Sequence, residues 1–402
     1  MTEKVAVPDY VAGICDALRE NGFESYLVGG CVRDGVMGKT PHDYDLATNA
    51  SPEEVKRALS SYRLVETGIR HGTVTAVTDS GPVEITTYRI DGEYKDNRHP
   101  ESVSFTGDLK LDLMRRDFTV NAMAYDPRGG LVDLFSGREH IGKKLIVCVG
   151  DPDARFDEDG LRVLRALRFA SVLDFEIEEK TAASVRRKAG LLAGISRERV
   201  FSEIKKMLCG PGAGRVVKGF AGVIAPTLGG VTEEGLVRGA EAIGMTEPSP
   251  AERLALLYAA SGADEADVTE SVRGLKPSRA ESREIISTVR VASSRLPDSV
   301  PEMRRLLGRE GGKATVAGMR IRAALGDGNA PEAIRTAGEI ISRGDCVRVA
   351  DLKINGGDLI RGYGISGERV GKVLDDLLYL VTSNAVKNEK NALFAEAEKL
   401  LR

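Results

Sequence analysis

YLVGGCVRDGVMGKTPHDYDLAT, residues 26–48, is the stretch whose reading decides the rest of the chain. The apolar run Tyr26–Val28 predicts a buried strand. It ends in Gly29 and Gly30, which permit a tight turn and close backbone approach to a ligand. A turn of that kind leaves amide N–H groups facing outward, toward an anion. Arg33 follows at once with a planar, permanently charged guanidinium suited to phosphate oxygens. Ten residues further on, Asp43 and Asp45 flank Tyr44, and on a strand two such carboxylates point to one face. Paired carboxylates opposite a phosphate cradle suit Mg²⁺, which takes a few protein oxygens and completes its shell with water and substrate phosphates. Together these parts are the equipment of nucleotidyl transfer.

Each part has a plainer reading. A Gly-Gly pair makes ordinary turns, and Asp-x-Asp also occurs at solvated strand edges. Order and spacing select between them. LVGGCVRD followed by HDYDLAT resembles the polymerase-β-like nucleotidyltransferases, and within them the bacterial-type (class II) tRNA CCA-adding enzymes and their poly(A) polymerase relatives.

At 402 residues, two to four domains are expected. Hydrophobic residues at 42% and charged ones at 29% fit a globular protein in water. No apolar stretch approaches the roughly 18 residues of a membrane span, and MTEKVAVPDY lacks a signal-peptide core. Cys15, Cys31, Cys148, Cys209 and Cys346 form no C-x-x-C pair. That scatter argues for a reducing compartment, so a cytoplasmic protein without disulfide or zinc framework is expected.

Residues 9–20 read as an amphipathic helix capped by Asp9 and closed by Gly22. SPEEVKRALSSY predicts a helix with Ser51 as cap, Pro52 in the first turn and Glu54 completing a capping box. Strands follow at 73–78 and 83–88 around a DSGP turn. EITTYR resembles the family segment carrying a third catalytic carboxylate, which implies that role for Glu84; an ordinary strand glutamate is the alternative. The polar segment 91–105 resembles the family loop associated with the switch from C to A addition, and its presence favours the complete activity.

In DLMRRDFTVNAMAYD (112–126), a polar cluster precedes a run apolar enough to bury, the arrangement of a ligand wall. The Asp117 carboxylate and Asn121 amide suit hydrogen bonding near a ribose. The segment resembles the second family motif, which implies a nucleotide contact for Arg116; an Arg–Asp brace is the alternative for Arg115.

DPDARFDEDGLRVLRALRFASVLDF (151–175) repeats Leu161, Leu164 and Leu167 at every third position, beside a stripe of Asp159, Arg162, Arg165 and Arg168. On one helix Asp159 and Arg162 are neighbours, and the drift of the repeat turns Arg168 away from Asp159. A carboxylate accepts from the amino group of cytosine or adenine, while a guanidinium donates to their ring acceptors. Uracil and guanine present the opposite polarity there. A surface salt bridge would use the same two residues. EDGLRVLRALRFA resembles the family's base-templating motif, which implies CTP and ATP contacts for Asp159, Arg162, Arg165 and Arg168.

The net charge of −3 hides local asymmetry. From Arg186 to Lys218 nine basic residues face two acidic ones; this predicts an RNA-facing surface, with solvated helix faces as the alternative. ISRERVFSEIKKML (195–208) reads as a helix capped by Ser196, with Glu198 to Lys206 along its exposed face, and as a brace. Beyond 210 the pattern is helical, with breaks near 210–213, 247–250, 297–301 and 325–331. Gly364, Gly367 and Gly371 fit a helix-joining turn or a phosphate site. His42, His71, His99 and His140 include no downstream His-Asp pair, which excludes the phosphohydrolase module fused to some relatives. Aromatic content of 5% without tryptophan speaks against base stacking as the mode of RNA binding.

The expected fold is α+β: a polymerase-β-like head with a mixed or antiparallel sheet over 1–150, then an all-α neck (151–210), body (211–300) and tail (301–402). The resemblance implies addition of C, C and A to the tRNA 3′ end from CTP and ATP without a template. The implied site has Asp43, Asp45 and Glu84 in catalysis, Mg²⁺ on Asp43 and Asp45, and the nucleotide on Gly29, Gly30, Arg33, Arg116, Asp117, Asn121, Asp159, Arg162, Arg165 and Arg168. tRNA is the expected partner, with no membrane and no obligatory protein partner. An A-adding, CC-adding or poly(A)-adding relative is the nearest alternative, and a non-catalytic tRNA-binding protein the more remote one.

Overall fold

In a computed structural model, which describes residues 5–66, 68–69, 72–91 and 103–402, the apolar run at Tyr26 becomes strand β1 (Ser25–Val28). In chain order there follow β2 (Tyr44–Thr48), β3 (Arg63–Val65), β4 (Thr73–Thr78), β5 (Gly81–Thr87), β6 (Arg89–Asp91), β7 (Val103–Phe105), β8 (Met123–Asp126) and β9 (Gly130–Asp133). All but β6 and β7 form one seven-stranded sheet in the order β3-β4-β5-β2-β1-β8-β9. β2 runs parallel to β5, and the other pairings are antiparallel. The sheet is therefore mixed. β6 and β7 make a separate antiparallel pair. The segment 91–105, expected to govern the switch from C to A, lies outside the described residues between 92 and 102.

Helix α1 (Asp9–Glu20) begins at Pro8, and Asp9 makes no side-chain cap. It sits instead in the first turn, where its charge complements the helix dipole. α2 (Gly30–Val36) follows β1 directly. α3 (Pro52–Ala58) has the expected capping box, with Ser51 and Glu54 satisfying each other's backbone N–H groups. α4 (Leu109–Met114) and α5 (Gly137–Gly142) complete the surroundings of the sheet. Val28, Ala47, Tyr88, Leu113 and Ala124 form one buried cluster from β1, β2, β8, α4 and the end of β5. The run Phe118–Tyr125 is buried throughout, as its composition predicts.

β10 (Leu145–Ile146) pairs in parallel with β11 (Glu176–Ile177). Around this pair lie α6 (Pro152–Glu158), α7 (Leu161–Leu173), α8 (Glu179–Arg187) and α9 (Arg197–Cys209). α7 buries Leu161, Leu164 and Leu167 against its neighbours, and α9 packs along it. Ser196 occupies the N-cap position of α9 without a side-chain bond.

The chain divides into two compact units, Met1–Gly212 and Ala213–Arg402. The second is helical throughout: α10 (Ala213–Gly219), α11 (Ala221–Leu228), α12 (Glu233–Ala242), α13 (Pro250–Ser261), α14 (Glu265–Gly274) and α15 (Arg279–Ser293). Then come α16 (Val300–Glu310), α17 (Gly312–Ala324), α18 (Ala330–Arg343), α19 (Gly356–Tyr363), α20 (Glu368–Thr382) and α21 (Lys390–Leu401). α15 and α17 approach closely at Gly318, where a Cβ would lie 2.6 Å from Val291 Cβ. A separate core of Leu352, Ile354, Leu359, Leu377 and Leu393 joins the last three helices. Gly364 closes α19 in the left-handed conformation and Gly367 opens α20, so these glycines make the helix-joining turn. No helix among the described residues is long and apolar enough to cross a membrane.

Gly137 lies under the short turn Thr119–Asn121, where a Cβ would overlap the Thr119 carbonyl oxygen and lie 2.8 Å from Met123 Cγ. Gly137→Ala is expected to lower stability in urea unfolding by roughly 1–3 kcal/mol, as overpacked cores do. Gly194→Ala, with open space around its Cβ, should change it by less than about 0.5 kcal/mol.

Candidate nucleotide site

β1 passes into α2 at Gly29, whose φ of 74° and ψ of −131° favour glycine. A Cβ there would also lie 3.3 Å from Arg116 Nη1. The missing side chain thus turns the chain and lets a guanidinium come up to the backbone. α2 carries Arg33, whose Nε donates to Asp34 at 2.8 Å and whose Nη1 donates to Asn121 Oδ1 at 2.8 Å. Asn121 Nδ2 in turn donates to Asp117 Oδ1 at 3.3 Å. Asp117 also accepts from the Phe118 amide at 2.8 Å and from Arg165 Nε at 2.7 Å. A continuous polar chain, Arg33–Asn121–Asp117–Arg165, links α2 to α7.

Asp117 is buried, which alone would raise its pKa, but Arg165 beside it and the Phe118 and Asn121 donors hold it below the usual carboxylate range. Asp112, 1% exposed, plays the same part for two further arginines. Its Oδ1 accepts from Arg115 Nε and Nη2 at 3.0 and 2.8 Å, and its Oδ2 from Arg116 Nη2 at 3.1 Å. Burial opposes ionisation there too, yet Arg116 and Arg115 bring the pKa below its ordinary value. On α7, Arg168 Nε donates to Glu203 of α9 at 2.5 Å. Arg33, Arg165 and Arg168 all face the ring of Phe169, at 5.5, 5.4 and 3.8 Å from its centroid.

The arginines, with Gly29, Asp117, Asn121 and Phe169, line one cavity of about 590 Å³. Its lining among the described residues has eight arginines (Arg33, Arg89, Arg115, Arg116, Arg162, Arg165, Arg168 and Arg199) against Asp45, Asp117 and Asp159. Such an excess suits a polyanion. Arg116 Nε and Arg199 Nη1 are buried without a hydrogen-bond partner among the described residues, so donor capacity is unspent.

Asp45 on β2 and Glu84 on β5 are directly paired in the parallel register, so their side chains share a face of the sheet. Asp43 and Asp45 are both exposed, with Tyr44 buried between them. Displacement of water by the surrounding walls, together with the Glu84 and Asp43 charges, pushes the Asp45 pKa up to about 6 despite Arg116. Crowded carboxylates of this kind fit a divalent cation. Among the described residues no three His, Cys, Asp or Glu side chains converge tightly enough to hold a metal alone. Mg²⁺ fits that arrangement, because it draws its remaining ligands from water and phosphate.

Residues 25–147 match the poly A polymerase head domain, 174–220 the probable RNA and SrmB-binding site of polymerase A, and 248–397 the putative domain 2 of tRNA nucleotidyltransferases. Over 400 residues the sequence is 37% identical to the CCA-adding enzyme of Geobacillus kaustophilus, with 95% of each chain covered. The chain belongs to the CCA-adding enzymes. The CCA-adding enzyme of Limosilactobacillus fermentum is 35% identical over 404 residues, 97% of this chain and 96% of that one. The Bacillus stearothermophilus CCA-adding enzyme in complex with CTP superposes with a TM-score of 0.79 at 30% identity, covering 97% of this chain and 96% of that chain.

In this CCA-adding enzyme, all ten residues expected at the nucleotide line the cavity, together with Asp45. Asp43 and Glu84 are not part of that lining: Asp43 immediately precedes β2, and Glu84 pairs with Asp45 from β5. The expected helical pair Asp159–Arg162 is not formed. α6 ends at Glu158 and α7 starts at Leu161, so Asp159 lies in an extended link with φ −138° and ψ 102°. Its Oδ1 accepts from the Leu161 amide at 3.1 Å and its Oδ2 from Arg199 Nη2 at 3.2 Å. Arg162 instead donates to Glu158 Oε2 at 2.6 Å and to the Arg155 and Arg115 carbonyl oxygens at 3.0 and 2.9 Å. Arg168, expected to turn away, lines the same cavity, because Asp159 stands off the helix that was to separate them.

α9 is likewise more than a brace. Glu203, expected on its exposed face, is buried against Arg168, and Arg199 reaches the cavity. Arg89, Arg115, Phe169 and Arg199 were not among the residues expected at the nucleotide. Arg199 carries one sequence signal, the dense run of basic residues around it.

Asp112→Asn leaves two arginines without their buried counter-charge and is expected to cost about 3 kcal/mol at pH 7. The folded-state pKa of Asp112 is depressed, so its contribution is complete above the unfolded value near 3.9 and is lost as pH falls through the folded one. Urea unfolding of the two proteins should therefore show a gap at pH 7 that narrows below about pH 4.

Proposed function

We propose that this chain rebuilds the tRNA 3′ end by adding C, C and A from CTP and ATP without a nucleic-acid template. The observation that carries this reading is the arginine-rich cavity whose lining includes Asp45, the strand partner of Glu84. The tRNA 3′-hydroxyl attacks the α-phosphate and pyrophosphate leaves. The backbone at Gly29 and Gly30, with Arg33, holds the triphosphate, and Arg116 contacts the nucleotide beside it. Asp117 and Asn121 face the ribose. Both are already bonded to arginines, so their orientation is set before ligand arrives. Asp159 accepts from the amino group of cytosine or adenine, while Arg165, Arg168 and the remaining N–H groups of Arg162 donate to the nucleotide.

Asp43 and Asp45 are assigned to Mg²⁺, with Glu84 as the third carboxylate. Bound there, the ion supplies Lewis acidity to the α-phosphate and offsets charge on the leaving pyrophosphate. We assign tRNA contact to the basic segment Arg186–Lys218, which overlaps the residues matched by the RNA-binding description, and to the helical tail. In this reading the head is 1–150, the neck 151–210, the body 211–300 and the tail 301–402, in a cytoplasmic protein.

With tRNA ending at the discriminator base, CTP and ATP together should extend the product by C, C and A and then stop, and CTP alone by C and C. EDTA should abolish extension and Mg²⁺ restore it. Asp45→Asn should lower kcat by more than about 100-fold without loss of thermal stability, because it removes a crowded charge. A product ending at CC with both nucleotides present, or a long A tract, would overturn the assignment.

A further inference from the structure

Three of the guanidinium groups in the cavity converge on Phe169. Arg33 comes from α2, whereas Arg165 and Arg168 come with Phe169 from α7, and their Cζ atoms lie 5.5, 5.4 and 3.8 Å from the ring centroid. Arg165 and Phe169 stand four positions apart on one helix, so they are neighbours on its surface. The ring is 6% exposed and belongs to the cavity lining. Phe118, fully buried, meets it at an interplanar angle of 76° with centroids 5.8 Å apart, an edge contact that fixes its tilt.

Each of these arginines has a carboxylate of its own: Arg33 bonds Asp34, Arg165 bonds Asp117 and Arg168 bonds Glu203. Phe169 is what the three have in common. An aromatic face attracts cations through its quadrupole while carrying no net charge. An acid in its place would also hold the arginines, but it would repel a polyphosphate. The ring gathers positive charge without cancelling it.

We infer that Phe169 is a positioning residue for the triphosphate: its π face holds Arg33 of α2 beside Arg165 and Arg168 of α7, and so sets phosphate affinity and not the choice of base. This rests on the triphosphate role given to Arg33 above. Because Arg33 and the other two arginines sit on different helices, a shared neutral contact keeps them at one place without a hydrogen bond between like charges.

The test uses the full-length protein, tRNA ending at the discriminator base with CTP, and tRNA ending at CC with ATP. Phe169→Leu, which keeps apolar bulk and removes the π face, should raise KM for CTP and for ATP alike by about tenfold, as loss of a desolvated cation–π contact does. The dissociation constant of inorganic pyrophosphate, measured by titration calorimetry, should rise by a similar factor, while the preference for CTP over UTP stays at the wild-type level. Phenylalanine carrying one, two or three ring fluorines at position 169 keeps the shape and withdraws charge from the face. Pyrophosphate should bind more weakly at each step of that series, which also decides the matter if Phe169→Leu does not fold.

Unchanged pyrophosphate affinity across the fluorinated proteins overturns the inference, even where Phe169→Leu binds more weakly, and leaves the ring a packing element of α7. A loss of CTP-over-UTP preference that matches the loss of affinity also overturns it, since the ring would then act on the base. Wild-type pyrophosphate affinity in Arg33→Ala removes the triphosphate role of Arg33, and the inference with it.

Discussion

Eight guanidinium groups around one cavity repel each other, and the first unit is arranged to hold them there. Of the buried counter-charges, Asp112 and Glu203 stand outside the cavity lining and Asp117 is part of it. Asp112 braces Arg115 and Arg116, Asp117 takes Arg165, and Glu203 takes Arg168, and all three acids are buried. Each acid is short of water and so depends on its arginine. The result is positive potential prepared before a polyphosphate arrives, which lowers the reorganisation needed during reaction. Phe169 contributes by offering one ring face to three of these cations.

The negative pole is built by strand pairing. β2 and β5 are the one parallel pair in the seven-stranded sheet, and a parallel pair needs a crossover between its strands. α3, β3 and β4 supply it, which is why Asp45 and Glu84, far apart in sequence, face each other at matched register. Like charges at that distance disfavour each other's ionisation, and a cation relieves them. The opposed poles lie close together because β1 is flanked by β2 on one side and β8 on the other. The segment leading into β8 carries Asp117 and Asn121, and the end of β1 carries Gly29.

Much of this follows from local rules. The capping box at Ser51 and Glu54, the strands around the DSGP turn and the burial of Phe118–Tyr125 each depend on a few adjacent residues, and they form as their spacing predicts. The ten residues expected at the nucleotide come together in one cavity, and they sit in short motifs whose residue types are unusual for a core. Where local rules misjudged the chain, a competing contact decided. Asp9 ceded the cap position to Pro8, and Ser196 makes no cap bond. Glu203 is buried because Arg168 of another helix meets it.

The sequence by itself determined most of the residues that line the cavity and which stretches are helix or strand, since periodicity, glycine placement and capping act over a few positions. Only the tertiary structure decided which guanidinium holds Asp159. A helix ending at Glu158 and restarting at Leu161 takes Asp159 out of helical register, and the packing of α9 on α7 then brings Arg199 to it from 40 residues away in sequence. A stripe repeating every third residue carries no information about that break, because the break is set by what packs against both sides of it.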